Sequence, residues 1–429
     1  MMLRRTVFGV LCATALVLPT AILTGVATAD PGVPAFYDPP TPLPAGAAGE
    51  LVRSEPVALT LAVPGQAGPL PGTATRIMFH TRDTHGDPAL SSGIVLKPAA
   101  AWSGPGPQPL IAYLNGVHGM GRQCAPSIQI PGLIQYTPPL DVMAEYELPF
   151  LYLLLAQGFA VVVPDYPGLG AGGNPSALDP IAESRTALDA IRAAQRLGDP
   201  AIPAHGPVVV TGYSQGGNAA AGVAEEQPAY APELDLRGVA AGSVPIDIPA
   251  LRTAASGAAL GGIFGYLLNT LAAQSPETAR AISGLLSPAG HTLMRESTGQ
   301  CAAESILRFG FQDSAIWSID GRPLLEVLDE HPIVHAAIQR LTLGNRTPGV
   351  PVLLYTGDND DLPADSVREL AARWCGSGAA VQLFDTGIPT LGPGLVIGHS
   401  LNLITAYPTV VLDWVRARLT AAPAPSICS

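Results

Sequence analysis

The strongest constraint on this chain is a regular beat running from residue 108 to residue 212. QPLIAYLN (from 108), FAVVVPD (159–165) and GPVVVTG (206–212) are short, nearly continuous apolar runs. EYELPFLYLLLAQG (145–158) and IAESRTALDAIRAAQRL (181–197) come between them, with the length and periodicity of helices. Strands that are apolar on both faces and separated by helices form a parallel sheet covered on both sides. The beat resumes with a helix over 215–226, RGVAAGSVP (237–245), VPVLLYTG (350–357), a helix near 364–374, AAVQLFDTG (379–387) and a last helix from about residue 400. Earlier, TRIMFHTRD and SSGIVLKP flank the turn-forming Thr84-His85-Gly86-Asp87 and predict an antiparallel hairpin at a sheet edge. The expected fold class is α/β, with a mostly parallel central sheet.

The first 29 residues precede this pattern and have a different character. Arg4 and Arg5 lead an apolar run that ends in Ala27-Thr28-Ala29, which predicts an exported chain with a leader cleaved near Ala29. Losing those two arginines takes the formal charge from −12 to −14, which argues against a nucleic-acid partner. Only 13% of residues are charged while 48% are hydrophobic, consistent with a large core and a surface that tolerates lipid. Residues 30–50, rich in proline and small residues, are expected as an extended arm. Outside the leader, Cys124, Cys301, Cys375 and Cys428 suggest two disulfides in one of three pairings. With no C-x-x-C and no H-E-x-x-H, and with Pro332 between His331 and His335, no metal site is expected.

At the end of GPVVVTG the chain places Gly212-Tyr213-Ser214-Gln215-Gly216, then small residues suited to a helix. Strand, tight turn and helix are the setting in which G-x-S-x-G presents a strained, outward-facing serine. The N–H of Gln215 would then face any oxyanion formed there. A serine hydroxyl needs a base, and the base an orienting acid, in the chain order serine, acid, histidine. Asp358, Asp360 and Asp361 follow the strand VPVLLYTG, and His399 lies directly before the last helix. The spacing from Gly357 favours Asp360 as the acid.

GYSQGG, YLNGVHGMGRQCAPS (113–127), PDYPGLGAGGN (164–174), the GDNDDLP loop and GHS together resemble the secretory lipases related to fungal lipase A, over about residues 40–428. The resemblance implies a capped α/β-hydrolase fold that cleaves acylglycerols and other esters without a cofactor. It also implies Ser214 as nucleophile, Asp360 as acid, His399 as base, and the pairings Cys124–Cys301 and Cys375–Cys428. In such relatives an acidic residue helps form the oxyanion hole six positions before the Cys-Ala-Pro-Ser cysteine. Here that position holds His118, which leaves its backbone N–H as a donor beside Gln215 and puts a side-chain contribution in doubt.

Between about 246 and 346 the strand-and-helix beat stops, and the stretch is too long for a structureless loop. It is read as an inserted helical cap, dividing the chain into leader (1–29), arm (30–50), first core segment (51–245), cap (246–346) and second core segment (347–429). No charge falls between Arg252 and Glu277, yet the glycines of GAALGGIFGYLLNTLAAQ, with Asn269 and Gln274, suit a lid better than a membrane span. Phe264 and Leu267 are the expected acyl-contacting residues. The leading function is hydrolysis of medium- or long-chain esters, with a lipid or ester as partner and transient contact with a lipid surface. Acyl transfer by the same triad and non-catalytic lipid binding are the alternatives.

Overall fold

The structure is a computed structural model that describes residues 32–60, 71–246, 248–251 and 256–428. The expected leader lies outside the described residues. Within the segment expected as an extended arm, Tyr37 is fully buried and its hydroxyl lies 2.7 Å from Ser127 Oγ.

One nine-stranded sheet organises the molecule. Its strands are β1 (Leu51–Val57), β2 (Gly72–Arg82), β3 (Pro88–Pro98), β4 (Leu110–Leu114), β7 (Ala160–Pro164), β8 (Val208–Tyr213), β9 (Leu236–Gly242), β10 (Val352–Thr356) and β11 (Val381–Asp385). A separate hairpin supplies β5 (Ile134–Thr137) and β6 (Asp141–Ala144). The order across the main sheet is β1-β2-β3-β7-β4-β8-β9-β10-β11. From β7 to β11 every neighbouring pair is parallel, and β1, β2 and β3 add antiparallel pairs. The predicted hairpin β2–β3 therefore exists but is not outermost. β1 covers it, an edge strand that escapes sequence pattern because its central residues are exposed and it contains Pro56, tolerated where no further strand pairs.

Helices α1 (Pro126–Gly132), α2 (Leu148–Ala156), α3 (Pro180–Gln195) and α4 (Gln215–Tyr230) lie along the first half. α3 starts where Asp179 accepts the N–H groups of Ile181 and Ala182 and Pro180 takes the first helical position. Alanines let α3 and α4 approach closely over one sheet face, where Ala187, Ala190, Ala220 and Ala224 are buried. Each larger core side chain, such as Val162 or Ile191, contributes roughly 1.5–3 kcal/mol by leaving water.

Between β9 and β10 the chain forms α5 (Phe264–Ala273), α6 (Pro276–Leu285), α7 (Pro288–Ser297), α8 (Ala302–Phe309), α9 (Leu324–Glu330) and α10 (Pro332–Arg340). Two of them start at clear signals: Ser275 and Ser287 cap α6 and α7 through the N–H groups of Thr278 and Gly290, each followed by proline. They share a core of their own around Phe264, Leu268, Leu293, Trp317 and Leu328. The ten residues of α5 span only about 15 Å. Among the described residues no helix is long and apolar enough to cross a membrane.

The chain closes with α11 (Ala364–Gly376), α12 (Ile397–Ala406) and α13 (Leu412–Leu419), the last two covering the other sheet face with α2. Cys124 is bonded to Cys301 and Cys375 to Cys428, the pairings that the resemblance implies.

Candidate active site

Ser214 sits between β8 and α4 with φ +59° and ψ −121°, a left-handed backbone that costs a non-glycine residue about 1–3 kcal/mol. The turn is possible because glycine flanks it. A Cβ on Gly212 would strike the Gly216 carbonyl, and one on Gly216 the Leu114 carbonyl, so strand and helix pack backbone to backbone. Ser214 N–H donates to Gly242 O at 3.0 Å, which ties the turn to the next strand.

Asp360, just after β10, has its Oδ1 at 2.7 Å from His399 Nδ1. Three donors hold the carboxylate: Leu362 N–H at 2.9 Å on Oδ1, Asn402 Nδ2 at 2.9 Å on Oδ2, and the Ser243 hydroxyl, also on Oδ2. Burial disfavours the charged acid, but His399 and these hydrogen bonds prevail and bring its pKa down to about 2. Burial likewise works against a charged His399, and Asp360 more than compensates, so the imidazole titrates above its ordinary value. His399 lies within the first turn of α12 rather than before the helix, next to Gly398, whose missing Cβ leaves room for the Asn359 carbonyl.

The other two acids are engaged elsewhere: Asp358 pairs with Arg368 at the surface, and Asp361 accepts Gly394 N–H at 2.6 Å. Tyr213 links the serine turn to the pair. Its hydroxyl donates to His399 O at 2.6 Å and its ring centroid lies 4.9 Å from the imidazole. Among the described residues no hydrogen bond joins Ser214 Oγ to His399, a contact that commonly tightens only when substrate is bound.

Ser214 and Gln215 open into a pocket whose wall is otherwise apolar. Val117, Leu178, Pro245 and Leu362 line it from the core, and Leu251, Leu260, Ile263, Phe264, Tyr266 and Leu267 from the helical insertion. Among these lining residues the one further polar side chain is Tyr266, whose hydroxyl donates to Ser305 Oγ at 2.8 Å. Both cap residues picked from the sequence, Phe264 and Leu267, are in this wall. His118 is not. Its ring is buried against Glu145, and its neighbour Val117 faces the pocket.

The sequence profile of the Secretory lipase family matches residues 136–426. The chain belongs to this family. A probable inactive lipase of Mycobacterium tuberculosis is 29% identical over 90% of this chain and 82% of the relative. A secreted triacylglycerol lipase of Malassezia globosa is 27% identical over 92% and 82%. Candida antarctica lipase A in its closed state superposes with a TM-score of 0.74 at 21% identity, covering 92% of this chain and 87% of that one. The architecture is accordingly the α/β-hydrolase fold of the family's lipases and esterases.

Sequence reasoning missed Ser243 and Asn402 as holders of Asp360, and Tyr213 as the link. Ser243 is 117 residues from Asp360 and Asn402 is 42, and neither stands in a recognisable local pattern. Ser243 does carry a positive φ of 43°, which only a structure reveals.

Proposed function

We propose that this secretory lipase is an exported serine hydrolase that cleaves carboxylic esters of medium or long acyl chains, acylglycerols among them. The observation that carries the reading is the buried Asp360–His399 bond beside a strained serine that opens into an apolar pocket. Ser214 Oγ attacks the ester carbonyl as its proton passes to His399 Nε2. Asp360 holds Nδ1–H and stabilises the imidazolium. The oxyanion takes hydrogen bonds from the backbone N–H groups of Gln215 and His118. The tetrahedral intermediate expels the alcohol with the proton from His399, leaving an acyl-enzyme that water cleaves by the same route.

Residues 246–346 act as the cap, and the wall containing Phe264 and Leu267 takes the acyl chain. Exposed Leu391 and Leu395, in the loop before α12, and Ile397 at its start, with Leu307 and Phe311 on the cap, supply apolar surface for transient contact with a lipid phase. Export, with a leader removed near Ala29, is supported by the family and by the two disulfides.

A second reading, lipid binding without catalysis, is favoured by one observation: the mycobacterial relative carries the name of a probable inactive lipase. Fluorophosphonate labelling separates the two. Labelling of the wild type, lost in folded Ser214→Ala together with ester hydrolysis, is the expected result. An unlabelled wild type, or full activity in Ser214→Ala, overturns the catalytic reading. Offering a lipid alcohol in the same assay measures acyl transfer against hydrolysis.

A further inference from the structure

The loop after β4, Asn115-Gly116-Val117-His118, carries the backbone opposite Gln215 at the pocket. All four of its carbonyls are occupied. Asn115 O accepts the Tyr166 hydroxyl at 2.9 Å, Gly116 O lies 2.9 Å from His118 Nδ1, Val117 O accepts the Tyr146 hydroxyl at 3.2 Å, and His118 O accepts Ala302 N–H at 2.8 Å. Gly116 N–H and Asn115 Nδ2 both donate to Glu147 Oε2, at 3.0 and 2.9 Å.

Three of these six bonds involve one tripeptide, Glu145-Tyr146-Glu147. Glu145 holds His118 Nε2 at 3.1 Å, Tyr146 stacks on the His118 ring with centroids 5.0 Å apart, and Glu147 also accepts the Tyr113 hydroxyl. In a trans peptide, C=O and the following N–H point in opposite directions, so fixing one aims the other. The bond to Gly116 O aims Val117 N–H, and the Tyr146 bond to Val117 O aims His118 N–H.

We infer that Glu145-Tyr146-Glu147 is a positioning element that aims the second oxyanion-hole N–H. This rests on the hydrolase reading above. His118 does not offer its side chain to the oxyanion; it acts as part of the brace. Burial disfavours its charge, yet Glu145 and the hydrogen bonds raise its pKa to about 9, so both ring nitrogens carry protons and donate, to Gly116 O and to Glu145.

A metal centre is the competing use of His118, Glu145 and Glu147, whose ligand atoms converge within 4.8 Å. Against it, both oxygens of Glu147 already accept N–H or O–H donors, and His118 Nδ1 faces a carbonyl. A cation there would face the N–H groups of Asn115 and Gly116.

Tyr146 is 44% exposed, so Tyr146→Phe keeps the ring while removing only the hydroxyl that holds Val117 O. Losing an oxyanion donor outright costs roughly 10²–10³-fold in kcat, and mis-aiming one should cost less, about tenfold. The expected result on a long-chain p-nitrophenyl ester is kcat lowered about tenfold with KM within twofold and an unchanged melting temperature. A trifluoromethyl ketone, which places negative charge on the oxygen after Ser214 adds, should lose affinity by the same factor. Glu147→Gln, which replaces an acceptor of two N–H groups, should show the same split with a larger loss, after normalisation to folded protein. Unchanged kcat and ketone affinity in both variants, or a loss confined to KM, overturns the inference. Failure of wild-type labelling at Ser214 instead overturns the hydrolase reading beneath it.

Discussion

The two walls of the pocket are held in different ways. On the core side, position comes from directional bonds: the glycine-packed turn at Ser214, the donors around Asp360, and the braced loop 115–118. On the cap side it comes from side-chain area, with Leu260, Ile263, Phe264 and Leu267 packed on short helices. Directional bonds fix atoms to fractions of an ångström, which chemistry at a carbonyl requires. Apolar area accommodates chains of many lengths with little angular demand. On the proposed function, reaction then belongs to one wall and selectivity to the other.

The sharpest way to break this division is Asp360→Asn, which preserves shape but mispositions the imidazole proton. The expected loss is roughly 10⁴-fold in kcat. Asp358→Asn, at an exposed ion pair, should leave turnover within about twofold and cost under about 1 kcal/mol in stability. A crippled Asp358 variant would mean that the acid has been misassigned.

Replacing both Cys124 and Cys301 by alanine tests whether the walls are held in register by the bond between them. It closes a separation of 177 residues, for which chain entropy gives about 5 kcal/mol. Denaturant unfolding should show a loss of that order. A change below about 1 kcal/mol would mean that packing alone joins cap to core.

The cap wall is probed by charge. Leu267→Asp or Phe264→Asp should lower kcat/KM on twelve- to sixteen-carbon esters by roughly a hundredfold and on acetate by less than threefold, because only a long chain passes the desolvated carboxylate. In the wild type each methylene that enters the wall should raise specificity about fourfold until the space is filled. Parallel losses at every length would show that the acyl chain lies elsewhere.

The smallest effect concerns pH. His399 accepts a proton only when neutral, so kcat/KM should fall about tenfold per unit below its pKa. The Asp360 charge holds the proton on, so this limb should lie above the 6.5 of an unperturbed imidazole. A rate flat from pH 4 to 8 would exclude histidine as the base.

Much of the core wall was legible because its elements announce themselves. Wholly apolar runs such as VVV at 208–210 have few alternatives to a buried strand, and serine between glycines at the end of one marks a turn. His399 stood out as the histidine after the last strand. The braces were not legible, since Glu145 and Glu147 read as the start of a helix that begins only at Leu148, and their partners lie 27 to 34 residues away. The β5–β6 hairpin was missed because its strands are four residues each, and α1 because Pro131 interrupts it. The helical stretch between β9 and β10 was recognisable as a break in the strand-and-helix beat, but glycine and proline blur helical periodicity, so its individual helices were not separable.

The Cys124–Cys301 bond does not stand alone at its end of the cap. Beside it Met120 N–H donates to Gln300 O at 3.0 Å, and Ala302 N–H to the carbonyl of His118. This end of the helical insertion is thus riveted to the core within a few residues of loop 115–118, like a shutter fixed along one jamb. Elsewhere Ala259 N–H donates to Gly394 O, a single backbone bond to the core beside the exposed side chains of Leu391 and Leu395. If residues 246–346 serve as the proposed lid, the mouth is expected to give first at the Gly394 contact and last at the disulfide.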